Sequence, residues 1–340
     1  MRNILCVTLI ALLGGCTSTS VTEKYQDKRN DIINVKDKVI EFETGNVLIG
    51  SVSRLYMSNK CLLIADHKSV DKQIHIFNKN DFSYLTSIGN FGEGPEEITV
   101  MGCLAIDEAH HQLYVSDHAK QKIFSYDMDS VMVDSLYKPQ VKTAMNETLF
   151  PSEYQYINDT LSIAVLIKPT STSTFNQFLG RWNMNTGEMI PMKYTHPDIQ
   201  KKRITFAASE KAGIYVECYT RHDLMTICSL DGELLYNIYG PDWDGGNGNK
   251  LQSFGTVMIG NDKIFVSYCG EDYARDSFPT KILVFDLEGN YLKTLETGYK
   301  ISDCCYDSFN NRIILSLNDV VQFAYLDTVS YTHLTLPTIA

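Results

Sequence analysis

Six short apolar triplets divide this chain at an almost constant interval of about fifty residues. They are Leu62-Leu63-Ile64, Leu113-Tyr114-Val115, Ile163-Ala164-Val165, Ile214-Tyr215-Val216, Ile264-Phe265-Val266 and Ile313-Ile314-Leu315. From the third residue of each to that of the next, the steps are 51, 50, 51, 50 and 49. A period this steady in strand-like segments marks a repeat architecture, in which each unit buries its faces against its neighbours.

The turns around the triplets define the unit. In the fifth copy Lys263 to Tyr268 reads as one strand and Lys281 to Leu287 as the next; Glu288-Gly289-Asn290 turns the chain and Tyr291 to Leu295 returns it. The fourth copy repeats this with Asp231-Gly232-Glu233, and the third with Asn185-Thr186-Gly187. Glycine in such turns supplies the positive φ that tight hairpins need. The unit is therefore a four-stranded antiparallel meander. Six of them arranged radially bury each sheet against the next and leave only short edges, which predicts an all-β, six-bladed β-propeller over residues 39–329. Val39 to Glu43 has no sheet of its own, and the sixth copy lacks an outer strand after Phe323 to Leu326. The N-terminal strand is expected to fill that place and close the ring. An open β-solenoid is the rival, but its rungs are usually shorter.

The two ends stand apart from the repeat. Arg2 followed by the apolar run Ile4 to Leu13 reads as a signal peptide over 1–15. Leu13-Gly14-Gly15-Cys16 resembles a bacterial lipobox, which makes Cys16 the expected lipid attachment site; an ordinary secretory signal is the plainer alternative. Lipid chains hold a protein to a bilayer without spanning it. Residues 16–38 are polar and charged and read as a flexible tether. Thr17, rather than aspartate, after the lipid cysteine favours an outer-membrane address. Ser330 to Ala340 breaks the pattern after the sixth copy and resembles translated adapter sequence, a non-native tail; a natural tail is the alternative.

A net charge of −11 argues against a nucleic-acid binder, which needs a basic face. Outside the signal lie Cys61, Cys103, Cys218, Cys228, Cys269, Cys304 and Cys305, an odd number with no zinc spacing. Cys218 and Cys228 fall on consecutive predicted strands and either pair or serve as small buried hydrophobes.

Phe42 to Gly50, Ile64-Ala65-Asp66, Val115-Ser116-Asp117 and the glycine-rich Gly89-Asn90-Phe91-Gly92-Glu93-Gly94-Pro95-Glu96-Glu97 give the chain a family likeness. It resembles the six-bladed β-propeller lipoproteins of Bacteroides-type bacteria, relatives of NHL-type and TolB-like propellers. One departure is Glu96-Glu97-Ile98, where that family usually has Gly-Glu and an aromatic residue after the proline. The resemblance implies the fold. It does not imply an activity, since propellers host binding modules, lyases and hydrolases alike.

In a propeller the loops between second and third strands share a face with the inter-blade connections, and that face usually carries the site. Asp66-His67 and Asp117-His118 occupy equivalent places in blades 1 and 2; Arg221-His222-Asp223 lies in blade 4, Glu271, Asp272, Arg275 and Asp276 in blade 5, and Trp243 in the connection before it. His67, His118 and His222 offer a divalent-metal triad if they converge. Otherwise Asp66 and Asp117 cap strand ends while the histidines face solvent. Asp242 to Asn249 has calcium-like oxygen spacing but no bidentate glutamate twelve residues in. Gly89 to Gly94 lacks the lysine and helix of a phosphate cradle. Trp243 with Tyr219, Tyr268 and Tyr273 forms an expected stacking surface beside carboxylates and arginines, or else these rings fill gaps between blades. The function read from these features is a monomeric, lipid-anchored envelope module without cofactor, binding a glycan, peptide or partner protein. The alternative is a metal-dependent lyase or hydrolase.

Overall fold

The computed structural model describes residues 22–134, 136–246, 250–275 and 277–332. Six antiparallel sheets follow one another along the chain. Blade 1 comprises Ser53–Met57, Cys61–Asp66, Lys72–Asn78 and Tyr84–Asn90; blade 2 comprises Met101–Asp107, Gln112–Asp117, Lys122–Asp127 and Gln140–Ala144. Blade 3 is built from Phe150–Asn158, Leu161–Pro169, Phe175–Trp182 and Met189–Pro191, and blade 4 from Ile204–Ser209, Ile214–Tyr219, Leu224–Ser229 and Leu234–Tyr239. Leu251–Gly260, Lys263–Asp272, Lys281–Asp286 and Tyr291–Glu296 form blade 5. Blade 6 has Ile301–Asp307, Arg312–Leu317 and Phe323–Asp327, with the N-terminal Ile40–Glu41 as its fourth strand.

Each apolar triplet lies in the second strand of its blade. A second strand is covered on both faces, so its residues need not alternate apolar and polar. Leu62 and Ile64 pack toward blade 6 against Cys305 and Ile314, while Leu63 between them packs toward blade 2 against Leu104, Leu113 and Val115. The described residues form six such apolar clusters, one between each pair of adjacent blades. The core is thus a ring of interfaces. Gly232 and Gly289 turn their hairpins at φ +85° and +79°, as the sequence requires.

The latch forms as expected, with Ala324 opposite Glu41 and Tyr325 opposite Ile40. Phe42 follows it and stacks on Phe82 of blade 1 at 3.9 Å and on Phe323 of blade 6 at 6.0 Å.

The segment expected to be a flexible tether is largely built into the fold. Glu23–Tyr25 pairs in parallel with Asn237 to Tyr239, adding a fifth strand to blade 4. Ile32–Asn34 does the same to blade 5, opposite Thr294 to Glu296. The polar composition misled because an edge strand needs only backbone partners and a few buried side chains, among them Val35, fully buried between blades 5 and 6. Another is Arg29, which reaches Asp223 at 2.8 Å with the two side chains 7% and 0% exposed. Its guanidinium lies 5.3 to 5.8 Å from the ring centres of Phe254, Tyr268 and Phe285. Tyr25 stacks on Tyr239 at 4.5 Å. The signal peptide, Cys16 and residues 16–21 lie outside the described residues.

At the other end Val329–Thr332 makes a helical turn, and Tyr331 packs against the cluster between blades 5 and 6. The remainder of the expected tail, 333–340, lies outside the described residues. All seven described cysteines are free and buried. Cys218 stands opposite Met225, three residues before Cys228, so an odd offset puts the two thiols on opposite faces of the blade 4 sheet and excludes their bridge. No helix among the described residues is long and apolar enough to cross a membrane.

Candidate functional site

The first strands of the blades contact one another around the axis. Near their loop-bearing ends these strands carry Arg54, Gly102, Glu153, Thr205, Thr256 and Asp303. Hydrogen bonds run from blade to blade at this level. Thr205 donates to the Gly255 carbonyl at 2.6 Å, Thr256 to Asp303 at 2.7 Å, and the Leu55 amide to the other Asp303 oxygen at 2.8 Å. Burial pushes the Asp303 carboxyl above the ordinary carboxylate range.

Arg54 departs from this neighbour-to-neighbour pattern. Its guanidinium donates to Glu153 at 2.8 Å, from blade 1 to blade 3, passing over blade 2. Both side chains remain open to solvent, 46% and 36% exposed. Blade 2 leaves the space because its residue there is Gly102. A Cβ on Gly102 would lie 2.4 Å from the Ser116 hydroxyl and 2.5 Å from His118 Nε2. His118 therefore reaches inward over a glycine, beside the Arg54–Glu153 bridge.

His67 belongs to the same group. Its Nε2 and that of His118 are buried and without a hydrogen-bond partner. Burial lowers the pKa of both rings, and for His67 the neighbouring Arg54 and His118 add to the shift. Two neutral imidazoles thus flank an exposed ion pair at the mouth of the axis. The sequence pointed to the two histidines but not to Arg54, Gly102, Glu153 or Asp303. These four lie ten to thirteen residues before the end of their triplets, because bulges interrupt the first strands, so the fifty-residue period does not align them.

The aspartates beside these histidines do a different job. Asp66 accepts from the amides of Gly50 and Lys68 at 2.7 and 2.9 Å. Asp117 accepts from Thr99, Val100, Ala119 and Lys120 at 2.7 to 3.2 Å. Their carboxylates hold the connections together and are not presented to a ligand, a correction to their reading as site residues.

The three-histidine metal site is also overturned. His67, His118 and His222 do not bring ligand atoms within 4.8 Å of one another; among the described residues only Asp107, His110 and Asp159 meet that test. That group lies on the opposite face, where Asp107 holds the His110 amide and ring in a local turn. His222 sits in blade 4, with Trp243 at 6.0 Å and Tyr219 at 6.2 Å.

The expected stacking surface is mostly internal. Tyr219 and Tyr268 are 0% and 7% exposed and fill the spaces between blades. Trp243 is half-buried against Tyr239, His196 and His222. Only Tyr273 is well exposed, at 47%, and Arg221 stacks on it at 4.1 Å. Arg275 pairs with Glu271 at 3.0 Å, and Asp272 caps the Ala274 amide. These three stand on the exposed end of the long blade 5 hairpin; Asp276 lies outside the described residues.

The glycine-rich loop reading is resolved. In Gly89 to Glu97 the Lys120 ammonium donates to the carbonyls of Gly92, Gly94 and Glu97, so this loop turns oxygens inward and cannot cradle phosphate. Asp242 accepts from the Tyr268 hydroxyl at 3.3 Å. The end of the calcium-like stretch, 247–249, lies outside the described residues.

Residues 17–176 match the model of a family described as a 6-bladed beta-propeller, DUF5128. The fold is similar to that of a Bacteroides fragilis protein described as exported, at 13% identity and a TM-score of 0.56 over 86% of this chain and 87% of that one. A DUF4221 family member from Bacteroides vulgatus gives 12% identity and a TM-score of 0.60 over 88% and 98%. The Cps50 (Swd1) propeller domain of Myceliophteria thermophila gives 9% and 0.52 over 83% and 98%. No curated protein matches. The chain is a six-bladed β-propeller.

Proposed function

We propose that this propeller is a lipid-anchored binding module of the bacterial envelope, without catalytic activity, and that its axial mouth takes a hydroxyl-rich ligand such as the end of a glycan. The observation that carries this reading is the solvent-open Arg54–Glu153 bridge at the axial mouth, with the His67 and His118 rings beside it. Neutral imidazoles, a guanidinium and carboxylates together offer both donors and acceptors, as vicinal hydroxyls do. An anionic ligand would meet Glu153; an apolar one would strip water from the Arg54–Glu153 charges. The lipobox at Cys16 supports the anchor and Thr17 an outer-membrane site. The exported Bacteroides fragilis neighbour is compatible with an envelope location.

The test is calorimetric titration with neutral oligosaccharides, alongside uronate oligosaccharides and peptides. Neutral sugars should bind, and Arg54→Ala should weaken them about tenfold or more, the equivalent of one hydrogen bond to a charged group. Preferential peptide or uronate binding, or neutral-sugar affinity indifferent to Arg54→Ala, would overturn the assignment.

A further inference from the structure

The N-terminal segment does more than close the ring. Glu23–Tyr25 and Ile32–Asn34 are hydrogen-bonded to the outermost strands of blades 4 and 5, and the Asn237 amide donates to the Thr22 carbonyl at 2.7 Å. Lys24 and Gln26 reach across to the carbonyls of Glu288 and Gly289 at 2.8 and 3.2 Å, on the blade 5 hairpin. With Arg29 buried between these blades, the strap is fixed from Thr22 onward.

This bounds the distance between Cys16 and the propeller. Cys16 to Thr22 is six residue steps (22 − 16), which span at most about 22 Å fully extended. A tether free as far as Lys38 would have 22 steps (38 − 16) and reach about 75 Å. A domain of about 300 residues has a radius of gyration near 19 Å and is about 50 Å across. The short leash is less than half that width. It leaves from the outer edge of blade 4, whereas blades 1 and 2 lie across the ring from blades 4 and 5.

We propose that the bilayer itself is the surface this edge faces: the propeller stands edge-on to the membrane, blades 4 and 5 nearest the lipid. Its axis then runs along the membrane plane and the axial mouth opens sideways. This inference rests on the reading of Cys16 as the lipid attachment site.

The experiment uses the full lipidated chain in phosphatidylethanolamine–phosphatidylglycerol nanodiscs, with lysine acylation read by mass spectrometry and compared with the same protein in detergent. Lys28 of the strap and Lys193 beside blade 4 are exposed, as are Lys60 of blade 1 and Lys138 of blade 2. Modification of Lys28 and Lys193 should be lost in nanodiscs while Lys60 and Lys138 react as before. Inserting about twenty Gly/Ser residues between Cys16 and Thr22 should restore reaction at Lys28 and Lys193, because the leash then permits free rolling. Equal modification of all four lysines on a chain whose Cys16 carries diacylglycerol would overturn the orientation and leave the anchor standing. A Cys16 peptide of unmodified mass would overturn both.

Discussion

Single residues decide two things in this molecule that their types alone would not suggest. Arg29 lies in a segment whose composition reads as solvated chain, yet its charge is buried against Asp223 beneath three aromatic rings. Removing one partner of such a pair leaves an uncompensated buried charge. Arg29→Ala should therefore lower unfolding stability by about 3–5 kcal/mol in urea titration. The double replacement Arg29→Met with Asp223→Leu should recover much of that loss. A single-variant cost near zero would mean that the pair is solvated in solution. Gly102 acts by what it lacks. Its missing Cβ leaves room for His118, so Gly102→Ala should displace that ring and weaken ligand binding at the axial mouth, and should also lower the melting temperature, because the same Cβ would meet the buried Ser116 hydroxyl. Histidine ring resonances in NMR spectra would check this; an unmoved His118 signal would contradict it.

Elements earn their positions through the faces they cover. The six second strands are apolar without alternation because both faces are covered, which is why triplets mark the repeat. The added edge strands at blades 4 and 5 carry no such signal, since a parallel strand on a sheet edge is held by its backbone. Their six residues, Glu23-Lys24-Tyr25 and Ile32-Ile33-Asn34, have no common pattern. The latch has only two ladder residues, so its strength rests on Phe42 between Phe82 and Phe323. Phe42→Ala should cost about 2 kcal/mol, below the 3–5 typical of a fully buried ring because Phe42 is partly exposed. Hydrogen exchange should show faster opening of Phe323 to Asp327. Unchanged protection there would show that the strap, rather than the latch, holds the ring shut.

At the scale of the whole molecule, burial acts on many histidines together. His67, His75, His118, His196 and His222 all have pKa values lowered chiefly by burial. Their unfolded forms take up protons near pH 6.5, while the folded forms resist until lower pH. In that window the unfolded chain binds more protons, so stability is fully present above about pH 6.5 and falls as pH drops. His110, raised by Asp107, works the other way but is exposed. Melting temperature should therefore decline between pH 7 and 5.5, and the decline should be shallower in His118→Asn. A rising melting temperature across that range, or a slope unaltered by the substitution, would contradict the attribution.

The blade count, the meander and the need for an N-terminal closing strand were legible in the chain because a repeat buries the same faces every fifty residues. Hydrophobic periodicity records such burial directly. The axial histidines were visible as candidates for a related reason, since each follows its second strand at an equivalent place. Which of them meet was decided only by the tertiary structure. Radial closure brings His67 and His118 together with Arg54 and Glu153, and leaves His222 in blade 4 beside Trp243. Side-chain convergence across the ring depends on blade rotation about the axis, a quantity no local pattern encodes. The strap escaped for the complementary reason. Backbone pairing and a few buried side chains can order a polar segment that hydrophobic patterning reads as free.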